Sequence, residues 1–251
     1  ADLLPLADGS DLGGSLRNPA SFCTVVGFRP SIGRMPFNRG FSWYGRMVTT
    51  GPMAKNVRDT ILLFSVMAGP HASDPLTLED PGTTFLDALE PMGKAEVQQL
   101  RVGVSQDLGG LPIDAEVAET ITVAAEVMRR LGAEVVESAP DLKDAMDVFQ
   151  VQRAAGLRLL SRRLETIDPG WRDTIKETAR WNIEKGLTLT ADELLTAELK
   201  RSALYARVAE YFEHFDALII PSAQVPPFDA TVDWVSEING VAMQTYIDWM
   251  A

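Results

Sequence analysis

One cysteine, two histidines and a shortage of basic residues define what this 251-residue chain does without. Cys23 alone can neither close an intrachain disulfide nor build a cysteine-based zinc cluster, and no metal site is expected. Lys and Arg number 23 against 35 Asp and Glu, a net charge of -12 with a pI near 4.6. Such a balance supplies no basic stripe for a phosphate backbone, which excludes nucleic acid and anionic membrane as direct partners. No apolar run is long enough to cross a bilayer and no signal peptide opens the chain, so a cytoplasmic protein is expected. The chain opens at Ala1-Asp2-Leu3 without methionine, and the native start is expected upstream. What is present is 46% hydrophobic content, enough for one sizeable core, and residues 1–251 are read as part of a single domain.

The most informative stretch is Gly9-Ser10-Asp11-Leu12-Gly13-Gly14-Ser15-Leu16-Arg17-Asn18-Pro19, placed just after the apolar Leu3-Leu4-Pro5-Leu6-Ala7. Glycine lets a backbone approach another group closely, so glycines beside a serine can aim several N–H groups at one point. That is how an oxyanion is held, with Ser15 as the attacking group. An ordinary glycine-rich turn uses the same residues. A phosphate cradle is excluded, since Ser15 stands where its lysine should be.

Along the chain, residues 3–8 read as a short buried strand, Val25–Phe28 as an apolar segment beneath the loop, and Arg29–Gly33 as a turn. Residues 35–50 read as a long loop over the core. A helix is expected after Pro52, with Val57, Ile61, Phe64, Ser65 and Ala68 on its apolar stripe and Gly69-Pro70 as its stop. Leu100, Val102 and Val104 alternate as a strand. Asp114 caps a helix with the stripe Val117, Ile121, Ala124, Met128 and Leu131, Gly132 closes it, and the strand Glu134-Val135-Val136 follows. This order implies a parallel pair. Residues 141–214 read as a helical insertion, with a capping box at Thr190 and Glu193, expected to cap a pocket. Residues 217–222 return as a buried strand, and Asn239–Ala251 begin another helical pattern.

Three blocks of residues go beyond pattern. Gly9 to Pro30, with Pro19-Ala20-Ser21-Phe22-Cys23 and Val26-Gly27-Phe28-Arg29-Pro30 behind the glycines, resembles the amidase signature family. Gly51-Pro52-Met53-Ala54-Lys55-Asn56-Val57-Arg58-Asp59 matches that family's next recurrent stretch, and Leu100-Arg101-Val102-Gly103-Val104 with Leu131-Gly132-Ala133-Glu134-Val135 resembles it further on. The resemblance implies an α/β fold with a mixed, largely parallel sheet flanked by helices. It also implies Ser15 as nucleophile, the backbone of Leu12, Gly13, Gly14 and Ser15 as oxyanion hole, and Asp11 and Arg17 as braces of the loop. In that family a desolvated lysine passes protons through a second serine, and both lie upstream of the nucleophile loop, so residues 1–251 alone are expected to be inactive.

The function this implies is hydrolysis of an amide to a carboxylate and ammonia or an amine through an acyl-serine. No cofactor is needed, because the oxyanion hole polarises the carbonyl. A small-molecule amide is the expected substrate, the remainder of its own chain the expected partner, and a homodimer a candidate assembly. Trp43, Tyr44 and Met47 on the long loop are candidate pocket residues, as are Phe149, Trp171 and Trp181 in the helical region. His71 and His214 stand as alternative bases. A non-catalytic scaffold of the same fold and an amidotransferase A-type subunit remain open as alternatives.

Overall fold

The computed structural model describes residues 4–37 and 47–250. In chain order its strands and α-helices are β1 (Leu6–Asp11), α1 (Arg17–Phe22), β2 (Val26–Gly27), β3 (Thr49–Ala54), α2 (Val57–Met67), α3 (Lys94–Val97), β4 (Arg101–Val104), α4 (Ala115–Leu131), β5 (Glu134–Glu137), α5 (Ala145–Ile167), α6 (Trp171–Thr174), α7 (Glu177–Thr188), α8 (Ala191–Phe212), β6 (Ala217–Ile219), β7 (Glu237–Ile238) and β8 (Val241–Ala242), with 3-10 helices at Gly82–Leu89 and Asp248–Met250. They fall into two compact units. One comprises Ala1–Gln98, Leu111–Thr122 and Pro221–Ala251, the other Gln99–Gly110 and Val123–Ile220.

In the first unit β3 pairs antiparallel with β1 on one side and β2 on the other. The β1 ladder runs from Leu6 opposite Ala54 to Asp11 opposite Thr49. The strand therefore begins later than the expected 3–8 and takes in Gly9 and Ser10. It is also not buried: Leu6 is 39% exposed, because β1 is an edge strand. Pro52, expected just ahead of a helix, lies within β3, and its carbonyl accepts from the Phe28 N–H at 3.0 Å.

The helix α2 starts only at Val57, where the Asn56 side chain accepts the Asp59 N–H at 2.9 Å and supplies the N-cap. Its buried face is narrower than the expected stripe: Thr60 and Phe64 are buried, while Val57 is 61% exposed. Phe64 sits between Phe28 and Phe85, with ring centroids 5.1 and 4.7 Å away. The expected helix at Asn239–Ala251 is instead a hairpin of β7 and β8 followed by a single 3-10 turn, Asp248–Met250. Asn239 and Gly240 have φ of 52° and 79°, and two successive left-handed residues make a tight hairpin turn that no helix can contain.

In the second unit β4 is central, parallel to β5 and to β6. The strand, helix, strand order thus gives the parallel pair that was expected. Asp114 accepts the Glu116 N–H at 2.9 Å ahead of α4, and the Gly132 N–H donates to Met128 O at 3.1 Å behind it. The buried residues of α4 are Ile121 and Ala125, whereas Leu131, placed on the expected stripe, is 51% exposed. Residues 141–214 are helical as expected, with α5 packed on α7 and on α8. The capping box forms: Thr190 Oγ1 accepts the Glu193 N–H at 3.2 Å, and Glu193 Oε2 accepts the Thr190 N–H at 2.7 Å. Of residues 217–222 only Ala217–Ile219 form a strand. The fold is α/β, and among the described residues its parallel pairing lies in the second unit and its antiparallel pairing in the first.

Candidate active site

Ser15 is exposed on the turn between β1 and α1, and its neighbour Leu16 is fully buried. The two opposite fates of adjacent side chains define the turn. Leu16 lands on the antiparallel sheet where all three strands carry glycine. A Cβ on Gly9 would fall 2.9 Å from Leu16 Cδ2, one on Gly51 would fall 2.8 Å from Leu16 Cδ1, and one on Gly27 would strike the Leu16 carbonyl. The seat is therefore cut by absent side chains. Burying a leucine there contributes about 2 kcal/mol, and it fixes the backbone from which Ser15 points outward.

The second fixture is electrostatic. Asp11, the last residue of β1, is fully buried and gathers five donors on its carboxylate. Oδ1 accepts from the Gly14 N–H at 2.9 Å, Arg17 Nη2 at 3.1 Å and Arg29 Nη1 at 2.9 Å. Oδ2 accepts from the Leu16 N–H at 3.2 Å and Arg17 Nε at 3.0 Å. Burial by itself would raise the Asp11 pKa. The Arg17 hydrogen bond, the Gly14 N–H and the charges of Arg17 and Arg29 outweigh burial and lower it from 3.8 to about 2. Arg29 also donates from Nη1 to the Asp11 carbonyl and from Nη2 to Met47 O at 2.8 Å.

This geometry redistributes the backbone donors. The Gly14 N–H is spent on Asp11. Among the described residues, the N–H groups of Leu12, Gly13 and Ser15 have no hydrogen-bond partner. Gly14 itself has φ of 107°, and a Cβ there would fall 2.7 Å from Asn18 Oδ1. Asn18 is buried, its N–H donates to Gly14 O at 2.8 Å, and its Nδ2 donates to Met250 Sδ at 3.5 Å.

The expected braces Asp11 and Arg17 are thus brought together behind Ser15. Met47 is half-buried and enters through its carbonyl, while Trp43 and Tyr44 lie outside the described residues. His71 is held in its own turn, with Nδ1 2.8 Å from Ser73 Oγ and accepting the Ser73 N–H at 3.1 Å. His214 belongs to the second unit, where its carbonyl accepts from Arg101 Nη1 at 3.4 Å. Trp171 is a buried core residue under the Arg172 guanidinium, 4.6 Å from its ring. Phe149 and Trp181 carry Arg153 at 5.6 Å and Lys185 at 5.2 Å over their rings. Sequence reasoning missed Leu16, Asn18 and Arg29. Arg29 had a signal, since a charge set behind the apolar Val25-Val26-Gly27-Phe28 needs a partner when it is drawn inward.

Comparison with known proteins gives this site its setting. An amidase of Pseudomonas putida is 31% identical over 222 residues, which is 88% of this chain and 46% of that protein. The A subunit of the glutamyl-tRNA(Gln) amidotransferase of Bdellovibrio bacteriovorus is 28% identical over 218 residues, 86% of this chain and 44% of that one. The chain thus spans a little under half the length of these relatives. Among solved structures, a bacterial aryl acylamidase of the amidase signature enzymes superposes with a TM-score of 0.80 at 24% identity, covering 98% of this chain and 52% of its own. The family model described as Amidase matches residues 1–251, and the chain belongs to the Amidase family.

Proposed function

We propose that this chain carries the nucleophile and oxyanion hole of a serine amidase that hydrolyses small-molecule amides. The observation that carries the reading is the turn itself. Asp11 and Leu16 clamp it from within, Ser15 is exposed, and the backbone donors of Leu12, Gly13 and Ser15 remain uncommitted among the described residues. In the reaction Ser15 Oγ forms a bond to the substrate carbonyl carbon as its proton passes to a base. The carbonyl oxygen becomes an oxyanion held by those N–H groups. The C–N bond then breaks with the proton delivered to the departing ammonia or amine, and water releases the acid from the acyl-serine. The base is the lysine acting through a bridging serine that the family resemblance implies, on residues preceding Ser15 in the parent protein. No cofactor takes part in this scheme.

The test is to treat the full-length parent with a fluorophosphonate and map the adduct by mass spectrometry. Labelling is expected at Ser15, and Ser15→Ala should lose several orders of magnitude in kcat because nucleophile and base act as a unit. An adduct elsewhere, with Ser15→Ala still active, would sink the assignment. A second reading, one component of an amidotransferase that passes ammonia onward, draws on the similarity to the Bdellovibrio bacteriovorus amidotransferase. Stable copurification with further subunits would favour it.

A further inference from the structure

The β1–β3 ladder ends at Asp11 opposite Thr49, and beyond that point the two chains no longer pair. One leads to Ser15, while the other is approached through Met47. At this open end lies the Arg29 guanidinium, donating on one side to the Asp11 carboxylate and carbonyl and on the other to Met47 O at 2.8 Å. Its position follows from the chain before it, because β2 pairs with β3 and the Phe28 N–H donates to Pro52 O at 3.0 Å. Pro30, on the other side of Arg29, is buried.

Arg17 does a different job on the same carboxylate. Its side chain is 46% exposed against 25% for Arg29, and its hydrogen bonds run to Asp11. One carboxylate balances one of the two guanidinium charges, and Arg29 also donates to the backbone carbonyls of Asp11 and Met47. A planar fork is the group that can reach acceptors on two chain segments at once; a lysine ammonium is a single point.

We propose that Arg29 is a positioning residue for Ser15, its guanidinium tying the nucleophile turn through Asp11 to the chain at Met47. The proposal rests on Ser15 being the nucleophile. A displacement of about 1 Å at a reacting group costs up to about a hundredfold in rate, so the loss of this tie should be read in catalysis. In the full-length parent, Arg29→Met and Arg29→Lys are each expected to lower kcat about tenfold or more. Both should slow fluorophosphonate labelling of Ser15 by a similar factor, with KM changing less. Rates are normalised to the folded fraction. Arg29→Ala should regain activity with millimolar guanidinium and not with ammonium.

Two results would overturn the proposal: Ser15 labelling in folded Arg29→Met and Arg29→Lys as fast as in the wild type, or a loss that follows the folded fraction and ignores guanidinium. If the wild type labels at Ser15 and the variants label equally fast, Arg29 alone is ruled out. If the wild type carries no adduct at Ser15, the nucleophile reading falls and this role falls with it.

Discussion

Asp11 keeps its charge where water does not reach it, and that has a consequence in pH. Its pKa is about 2 in the folded chain against 3.8 for the ordinary group. A depressed carboxyl contributes stability that is fully present above its unfolded pKa and is lost as pH falls through its folded one. The window is therefore roughly pH 4 to 2, and the contribution is about 2 kcal/mol. Asp11→Asn should lose at least that amount at pH 7, and the gap between variant and wild type should narrow toward pH 2; urea midpoints measured at both pH values check it. A constant gap would place the effect in packing instead. At this scale the sequence was informative about kinds of residue and silent about aim. Family resemblance singled out Asp11 and Arg17, which the structure joins in an ion pair. That the chain after Gly14 folds back to bring the Leu16 N–H and Arg17 onto Asp11 runs through a φ of 107° at Gly14, which glycine permits but does not dictate.

Among the elements, those set by local chemistry were legible and those set by pairing were not. The Thr190–Glu193 box and the α4 ends at Asp114 and Gly132 are written in adjacent residues, and the structure forms them. The extent of β1 depends on β3, some forty residues away, so the apolar Leu3–Leu6 run misplaced it. Asn239-Gly240 is a strong local hairpin signal. It was overridden by an apolar spacing of Val241, Tyr246, Ile247 and Trp249 that also suits a helix. Helix packing supplies a prediction that runs against propensity. Gly186 lies inside α7, where alanine ordinarily gains up to about 1 kcal/mol. Here a Cβ would strike the Ala154 carbonyl of α5 and come within 2.8 Å of Arg158 Cβ. Gly186→Ala should therefore lower the thermal midpoint, and a rise in Tm would show that α5 and α7 separate easily.

For the molecule as a whole, charge and apolar surface pull in opposite directions. On α4, Val123, Val127 and Leu131 recur every four residues at 55%, 41% and 51% exposure, and on α8 Leu195 and Leu199 are 66% and 73% exposed. Such stripes favour association, while a net charge of -12 opposes it. Salt shortens the Debye length from about 30 Å at 0.01 M to about 3 Å at 1 M. Light scattering from residues 1–251 should accordingly rise with salt, and Val127→Lys with Leu199→Lys should suppress the rise. Scattering independent of both would mean that the stripes do not associate. The connectivity of the units has a consequence in time. Within residues 1–251 the first unit is split in sequence, Ala1–Gln98 being made earlier and Pro221–Ala251 later. Asn18 and its acceptor Met250 are 232 residues apart, and Phe22 stacks on Trp249 at 6.2 Å. On a ribosome adding roughly 5–20 residues per second, Asn18 and Phe22 therefore wait at least about ten seconds for these neighbours. Until then the face of α1 that carries Asn18 and Phe22 lacks these neighbours, while the clamps at Asp11, Leu16 and Arg29, all made early, already hold the turn.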